Sequence, residues 1–352
     1  MALTSLSVSN LRSIESAELA FGPHSNLISG PNGAGKTSLL EAIFLLGRGR
    51  SFRTRHNERL IQHGAATLRV VGHTDGGTAG HVIGIEVQRA GTTRVRADGQ
   101  DQRSLAQLAT TFPVQVLDPD VHELIEDAPV HRRRWLDWAV FHVEPTFGRA
   151  WSRYSRALQQ RNAALRSGAA FQLWDPELVK EGEAMTVSRA RVLEALQPYW
   201  RVVCADLVGL ELTLGFQAGW DQERSLAEAL AATAERDRER EGTQIGPHRA
   251  DVGLRLRGRL AREILSRGQQ KLAAVAMMLA QLEYLQAEHG VRPTLLIDDP
   301  GAELDRERLG RLIERLRRLQ TQLIVTALDP DPSLFGVPEA AFHVEQGRVT
   351  RI

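Results

Sequence analysis

Hydrophobic and polar positions change their period twice along the chain. Up to about residue 122, short alternating or apolar segments at 3–7, 27–29, 68–71, 82–87 and 93–97 are separated by glycine-rich turns and predict strands of a mixed sheet. From about 123 to 244 the glycines thin out. Trp151, Tyr154, Leu158 and Leu165, then Met185, Val192, Leu196 and Tyr199, recur at three- to four-residue spacing, which predicts a helical arm. Strand patterning resumes at 251–257 with Val252, Leu254 and Leu256 on one face, followed by a helix from about Gln269 and an apolar run at 294–297. The last segment therefore rejoins the first. The expected organisation is a discontinuous head, residues 1–122 plus 245–352, with an inserted arm at 123–244. Within that arm, 235–241 alternates in sign and reads as a solvated helix surface.

Composition narrows the class. At 352 residues, 42% apolar and 25% charged, the chain has the profile of an ordinary soluble globular protein with room for about two domains. No run approaches the ~18 apolar residues needed to span a bilayer, and the N-terminus shows no basic-then-apolar leader. A protein with no membrane role is expected. The one cysteine, Cys204, cannot form an internal disulfide and favours a reducing compartment, with packing as its role. A net charge of +1 means that any polyanion site must be local. Lysine is scarce: Lys36, Lys180 and Lys271 stand among 44 basic residues, and two of them fall in or beside the strongest motifs.

The first motif is Gly30-Pro31-Asn32-Gly33-Ala34-Gly35-Lys36-Thr37, a full match to G-x-x-x-x-G-K-[ST] between a predicted strand and a helix that runs on from Ser38. Glycines let the backbone wrap a polyphosphate with N–H groups inward, and the helix N-terminus adds positive potential. Lys36 is placed for the β- and γ-phosphates and Thr37 for Mg²⁺. A second motif, Asp298-Asp299, ends the apolar run at 294–297, where nucleotide sites of open α/β sheets lie. Asp298 suits Mg²⁺ and Asp299 the attacking water.

Leu265-Ser266-Arg267-Gly268-Gln269 matches the L-S-x-G-Q signature of ATP-binding-cassette ATPases, and 302–305 (Ala-Glu-Leu-Asp) resembles their D-loop. The chain is thus similar to that superfamily. The resemblance implies an α/β fold, a cassette-type P-loop ATPase head of mixed sheet plus RecA-like core carrying a helical arm. It also implies ATP sandwiched between two heads, with Ser266, Gly268 and Gln269 of one subunit reaching nucleotide on the other, so that ATP joins a homodimer.

Further segments resemble the RecF family of bacterial recombination mediators, in the same order: Asn10-Leu11-Arg12, 39–43, 49–54, 132–137, 160–165, 246–251 and 296–299. The similarity implies a cytosolic, nucleoid-associated ATPase that dimerises with ATP on gapped DNA at single-/double-strand junctions. It further implies action with RecR and RecO and promotion of RecA loading. Arg12 and Gln115 join the nucleotide contacts on this resemblance. Two departures bear on rate: Asp299 stands where the superfamily has glutamate, and Ala327 where a histidine commonly follows a strand. A carboxylate shortened by one methylene favours slow hydrolysis, suiting a DNA-stimulated switch better than a motor.

For DNA, Arg48, Arg50, Arg53, Arg55 and Arg59 face one acid, Glu58, in twelve residues. Arg149, Arg153 and Arg156 share a helix face in a stretch, 145–174, that has no Asp or Glu, although the arm carries 16 basic and 19 acidic residues. Such clusters suit phosphate contacts, with solvated arginines as the alternative. His248 reads as structural, Trp135 and Trp138 as core, and no histidine spacing predicts structural zinc. Two other functions stay open: the ATPase of a membrane transporter, and a scaffold that binds nucleotide without turnover.

Overall fold

A computed structural model describes residues 2–76, 80–102, 105–300, 306–329 and 336–352. It falls into two compact units, 1–120 with 290–352, and 121–289.

In the first unit, strands β1 (Leu3–Leu11), β2 (Ile14–Ala20), β3 (Ser25–Ser29), β4 (Thr67–Thr74), β5 (His81–Gln88), β6 (Thr93–Ala97), β7 (Gln100–Asp101) and β8 (Val114–Leu117) come before the second unit's β9 (Leu212–Gln217), β10 (Asp251–Leu256) and β11 (Arg259–Leu260). The chain then returns with β12 (Thr294–Ile297), β13 (Leu323–Ala327), β14 (Ala340–Glu345) and β15 (Arg348–Arg351). One sheet of the first unit is antiparallel, in the order β2-β1-β4-β5-β6-β7. The other runs β15-β14-β3-β13-β12-β8, parallel except at the β15 edge.

Helices of ten or more residues are α1 (Lys36–Arg48), α2 (Pro129–Val143), α3 (Phe147–Ser167), α4 (Asp175–Leu207), α5 (Arg267–His289) and α6 (Arg306–Arg318). Helix α1 touches β1, β4 and β5 of one sheet and β8 and β13 of the other. That position explains its composition: Leu39, Leu40, Ala42, Ile43, Leu45 and Leu46 are almost wholly buried, so the helix is apolar around most of its girth. The phosphate loop is therefore attached to a helix buried between the two sheets.

The second unit joins α2, α3 and α4 to the sheet β11-β10-β9 and to α5. This differs from the expected boundary at 245. Residues 245–289 group with the arm because β10 pairs with β9 from Asp251↔Gln217 to Leu256↔Leu212, and α5 packs along α4. Three of the family-like segments meet here. Arg132 grips Asp251 through Nε and Nη2 at 2.8 and 3.0 Å, and Arg133 donates to the Ala250 carbonyl. Arg189 grips Asp137 likewise and donates to the Pro247 carbonyl. Arg161, fully buried, bonds Asp175, Asp237 and Thr243 and lies 4.9 Å from the Phe171 ring centroid. Asp237 is the correction to the solvated reading of 235–241: that one position is wholly buried because Arg161 requires a counter-charge.

His248 holds this network at a turn. Its Nε2 faces the Thr243 carbonyl at 3.0 Å, which can only accept, so Nε2 carries the hydrogen and Nδ1 accepts from the Tyr154 hydroxyl at 2.7 Å. Burial first, then the charges of Arg249, Arg133 and Arg161, lower its pKa to about 4, against an opposing bond to Thr243. Trp135, Trp138 and Cys204 are buried, and burial raises the thiol pKa to about 11.

Candidate nucleotide site

Strand β3 lies between β13 and β14, so its carboxyl end opens near the middle of the parallel layer. There the chain turns through Gly30–Gly35 into α1. Gly30 has φ +144°, and a Cβ on it would fall 2.1 Å from the Val344 carbonyl oxygen, so the turn demands glycine. The Gly30 N–H bonds Leu328 O, and Gly347 N–H bonds Ala34 O, fixing the loop from two sides. Pro31, Asn32 and Gly33 are exposed at its crown, whereas Lys36 and Ser38 are buried. Helix α1 starts at Gly35 with no side-chain cap and no acid in its first turn, which leaves its N-terminus an anion-binding end. Lys36 Nζ donates to the carbonyls of Gly30 (2.6 Å) and Pro31 (3.1 Å), curled within the loop that it would serve.

Across the sheet, register delivers the second motif. Ile297 pairs with Val325 and Ala327 with Ser29, so the ends of β12, β13 and β3 form one edge. The Thr37 hydroxyl reaches the Asp298 carboxylate at 2.9 and 3.1 Å. Thr326 donates to Asp298 Oδ1 at 2.7 Å and accepts the Asp299 N–H at 3.0 Å. Asp299 has φ 45°, a left-handed conformation that costs an L-residue about 1 kcal/mol or more. Strained backbone of this kind clusters at functional sites. The donor set around Thr37 and Asp298 is hard oxygen, which fits Mg²⁺ in chemistry.

Two expected nucleotide residues are placed differently. Gln115 is buried inside β8 opposite Leu295, three residues and about 10 Å short of the edge where Asp298 stands. Arg12 binds the fully buried Glu41 of α1 at 2.8 and 2.9 Å. Glu41 also accepts from Ser51 at 2.6 Å and pairs with Arg53 at 3.6 Å, so Arg53 serves this internal cluster. Arg50 and Arg55 are exposed, and Arg48 lies over the Phe44 ring. Sequence reasoning gave no role to Glu41, Ser51 or Thr326; for Glu41 and Thr326 the available signal was a polar residue inside an otherwise apolar helix or strand, and Ser51, in a loop, gave none.

In the second unit, Ser266 caps α5. Its hydroxyl accepts the Gln269 N–H at 3.4 Å while the Gln269 side chain accepts the Ser266 N–H at 3.0 Å. This is the reciprocal box of an S-x-x-Q start. Gly268 is exposed, and a Cβ there would meet nothing within 4 Å. On α3, Arg149 and Arg156 are exposed while Arg153 pairs with Glu181 at 3.3 Å. Glu123, Asp127 and His131 also gather within 4.8 Å of one another, partly exposed and tied by His131–Asp127 at 3.6 Å. The D-loop candidate, 302–305, lies outside the described residues. No described helix is long and apolar enough to cross a membrane.

A glycine-strained loop entering a buried helix, with a Thr–Asp oxygen pair on the same parallel edge, defines a P-loop nucleotide-binding head. The family model "RecF/RecN/SMC N terminal domain" matches residues 2–344. A protein of Pseudomonas paraeruginosa named "DNA replication and repair protein RecF" is 41% identical over 100% of this chain and 98% of its own length. The chain belongs to the RecF family. A solved structure of the recombination mediator protein RecF-ATP in the RecFOR pathway superposes with TM-score 0.90 at 25% identity, covering 100% of this chain and 97% of that one. The Smc head domain of Pyrococcus furiosus shares the fold, with TM-score 0.63 at 15% identity over 100% and 96% of the two chains. The transporter alternative is not favoured by this membership.

Proposed function

We propose that this chain is an ATP-switched DNA-binding protein of recombinational repair and replication, with weak, DNA-stimulated ATP hydrolysis. The observation that carries the reading is the meeting of Thr37 and Asp298, 261 positions apart in sequence, beside an uncapped helix N-terminus. The N–H groups of Gly33 to Ser38 hold the phosphates, and Lys36 leaves its loop carbonyls for the β- and γ-oxygens. Thr37 and Asp298 would hold Mg²⁺, which when bound would supply countercharge to the phosphate oxygens. Asp299 orients the attacking water, and its short side chain keeps turnover slow.

Gly268 supports a second role for α5. A helix-weakening residue in an exposed first turn with open space at its Cβ has no internal reason to be glycine. It suits close approach of nucleotide held by a second copy, with Ser266 and Gln269 alongside. ATP then closes a homodimer on gapped DNA, and hydrolysis reopens it. By family membership the proposed partners are RecR and RecO, with RecA loaded downstream, in the cytoplasm at the nucleoid.

Sedimentation velocity of the chain with gapped duplex, with and without ATP, tests the reading against Ser266→Arg. An ATP-dependent dimer on DNA that disappears in the variant is expected. Nucleotide binding without dimer or DNA complex would overturn it, and an absence of ADP with DNA present would leave only the scaffold.

A further inference from the structure

Residues 255–267 hold five arginines, Arg255, Arg257, Arg259, Arg262 and Arg267, against one acid, Glu263. They lie on the β10–β11 hairpin, the short helix Ala261–Ile264 and the first residue of α5. Arg257, Arg259, Arg262 and Arg267 are exposed and form no ion pair among the described residues. The two clusters singled out from sequence differ, since Arg153 is held by Glu181 and Arg53 by Glu41. Glu123 and Glu126, on a neighbouring short helix that packs against Ala261–Ile264, form no ion pair with Arg262.

The turn of the hairpin carries a cost. Leu256 pairs with Arg259, so Arg257 and Gly258 alone make the connection, at φ 50° and 82°. Two positive φ values in a two-residue loop favour Asn-Gly or Gly-Gly, and an arginine in the first place costs about 1 kcal/mol. No side-chain hydrogen bond among the described residues recompenses Arg257. Arg255 is tied to the turn instead, its Nη1 donating to the Gly258 carbonyl at 2.8 Å.

Beside the hairpin is a cavity of about 340 Å³ whose lining includes Gln217, Asp251, Arg255, Leu260 and Arg262. Its one carboxylate, Asp251, is already matched by Arg132, whose Nη1 is taken up by the carbonyls of Leu124, Ile125 and Asp127. With Asp251 and Arg132 matched, Arg255 and Arg262 are the other charged groups of its lining.

We propose that this hairpin is a DNA-backbone contact, with Arg257 and Arg259 at the tip and Arg262 at the base binding phosphodiester oxygens. This rests on the reading that the chain binds DNA. Guanidinium forks on an exposed ribbon give bidentate, sequence-independent phosphate bonds, and a tip charge kept against its backbone preference has its function outside the chain. The hairpin runs through one short helix into Ser266, so DNA engaged there lies next in the chain to the signature turn.

Fluorescence anisotropy of the full chain on gapped duplex at several salt concentrations tests the assignment, with ATP binding measured in parallel. Arg257→Ala/Arg259→Ala/Arg262→Ala lowers affinity at least about tenfold and flattens the log K against log salt slope by about 2 to 3, with ATP affinity unchanged. Arg257→Asn is the sharper variant: Asn suits the turn, so thermal stability holds or rises while DNA affinity falls severalfold. Wild-type DNA affinity and slope in both variants overturns the hairpin and leaves the functional reading intact, with an acidic protein as its remaining partner. If wild type itself binds no DNA at any salt, with or without ATP, the functional reading falls first.

Discussion

Thr326 donates its hydroxyl hydrogen to Asp298 across 2.7 Å, and the same oxygen accepts the Asp299 amide. One small side chain at the end of β13 thus fixes the direction of one carboxylate and the backbone of the other. Thr326→Val keeps the shape and removes both bonds. Losing a bond to a charged group costs about 1.5 to 3 kcal/mol, so ATPase turnover should fall by about tenfold or more with a smaller change in ATP affinity. Steady-state ATPase assays beside equilibrium nucleotide binding measure both, and an unchanged turnover would remove Thr326 from the site.

Two glycines make opposite predictions. Gly30→Ala drives a Cβ into the Val344 carbonyl at a backbone angle that alanine resists, so stability and nucleotide binding should both drop. Gly268→Ala meets open space and gains helix propensity, up to about 1 kcal/mol. Thermal melts should show it at least as stable as wild type, while the ATP-driven dimer weakens in sedimentation.

Asp237→Ala leaves the guanidinium of Arg161 buried with Asp175 as its one remaining acid. Breaking a buried pair from one side costs about 3 to 5 kcal/mol, here reduced because Asp175 stays. Urea unfolding should show a loss of at least about 2 kcal/mol, and restoration by the paired change Arg161→Leu would identify the uncompensated charge as the cause.

His248 makes stability depend on acid. Its folded pKa, about 4, lies below the unfolded value near 6.5, so the unfolded chain takes up the proton first as pH falls. The contribution is complete above pH ~6.5 and is lost between there and about pH 4, at up to about 1.4 kcal/mol per pH unit. Urea midpoints at neutral and mildly acidic pH, compared with His248→Phe, isolate this slope. A variant that loses stability with pH as steeply as wild type would contradict it.

The parts of the fold most legible in sequence are those whose chemistry is local. The phosphate loop and the Asp298 strand each depend on neighbours within a few residues, and each lies on the element its pattern predicts. Strand β2, Ile-Glu-Ser-Ala-Glu-Leu-Ala, was obscured by its charged outer face. The unit boundary was hidden because β9 and β10 pair across 33 intervening residues, from Gln217 to Asp251. The same reason hid Asp237 and Glu41: a buried acid is recognisable only once the arginine that it neutralises is known, and Arg161 and Arg12 lie far from them in sequence.

Helix α5 has a mechanical consequence beyond its first turn. Fourteen of its 23 residues are buried, and it packs along α4, which at 33 residues is about 50 Å long. A rod buried along that much of its length from Gln270 onward moves with the helices packed on it, so the direction in which its first turn points follows α4. The arm acts as a tiller for the signature turn: small leverage far out on α4 trims the angle at which that turn meets whatever it touches.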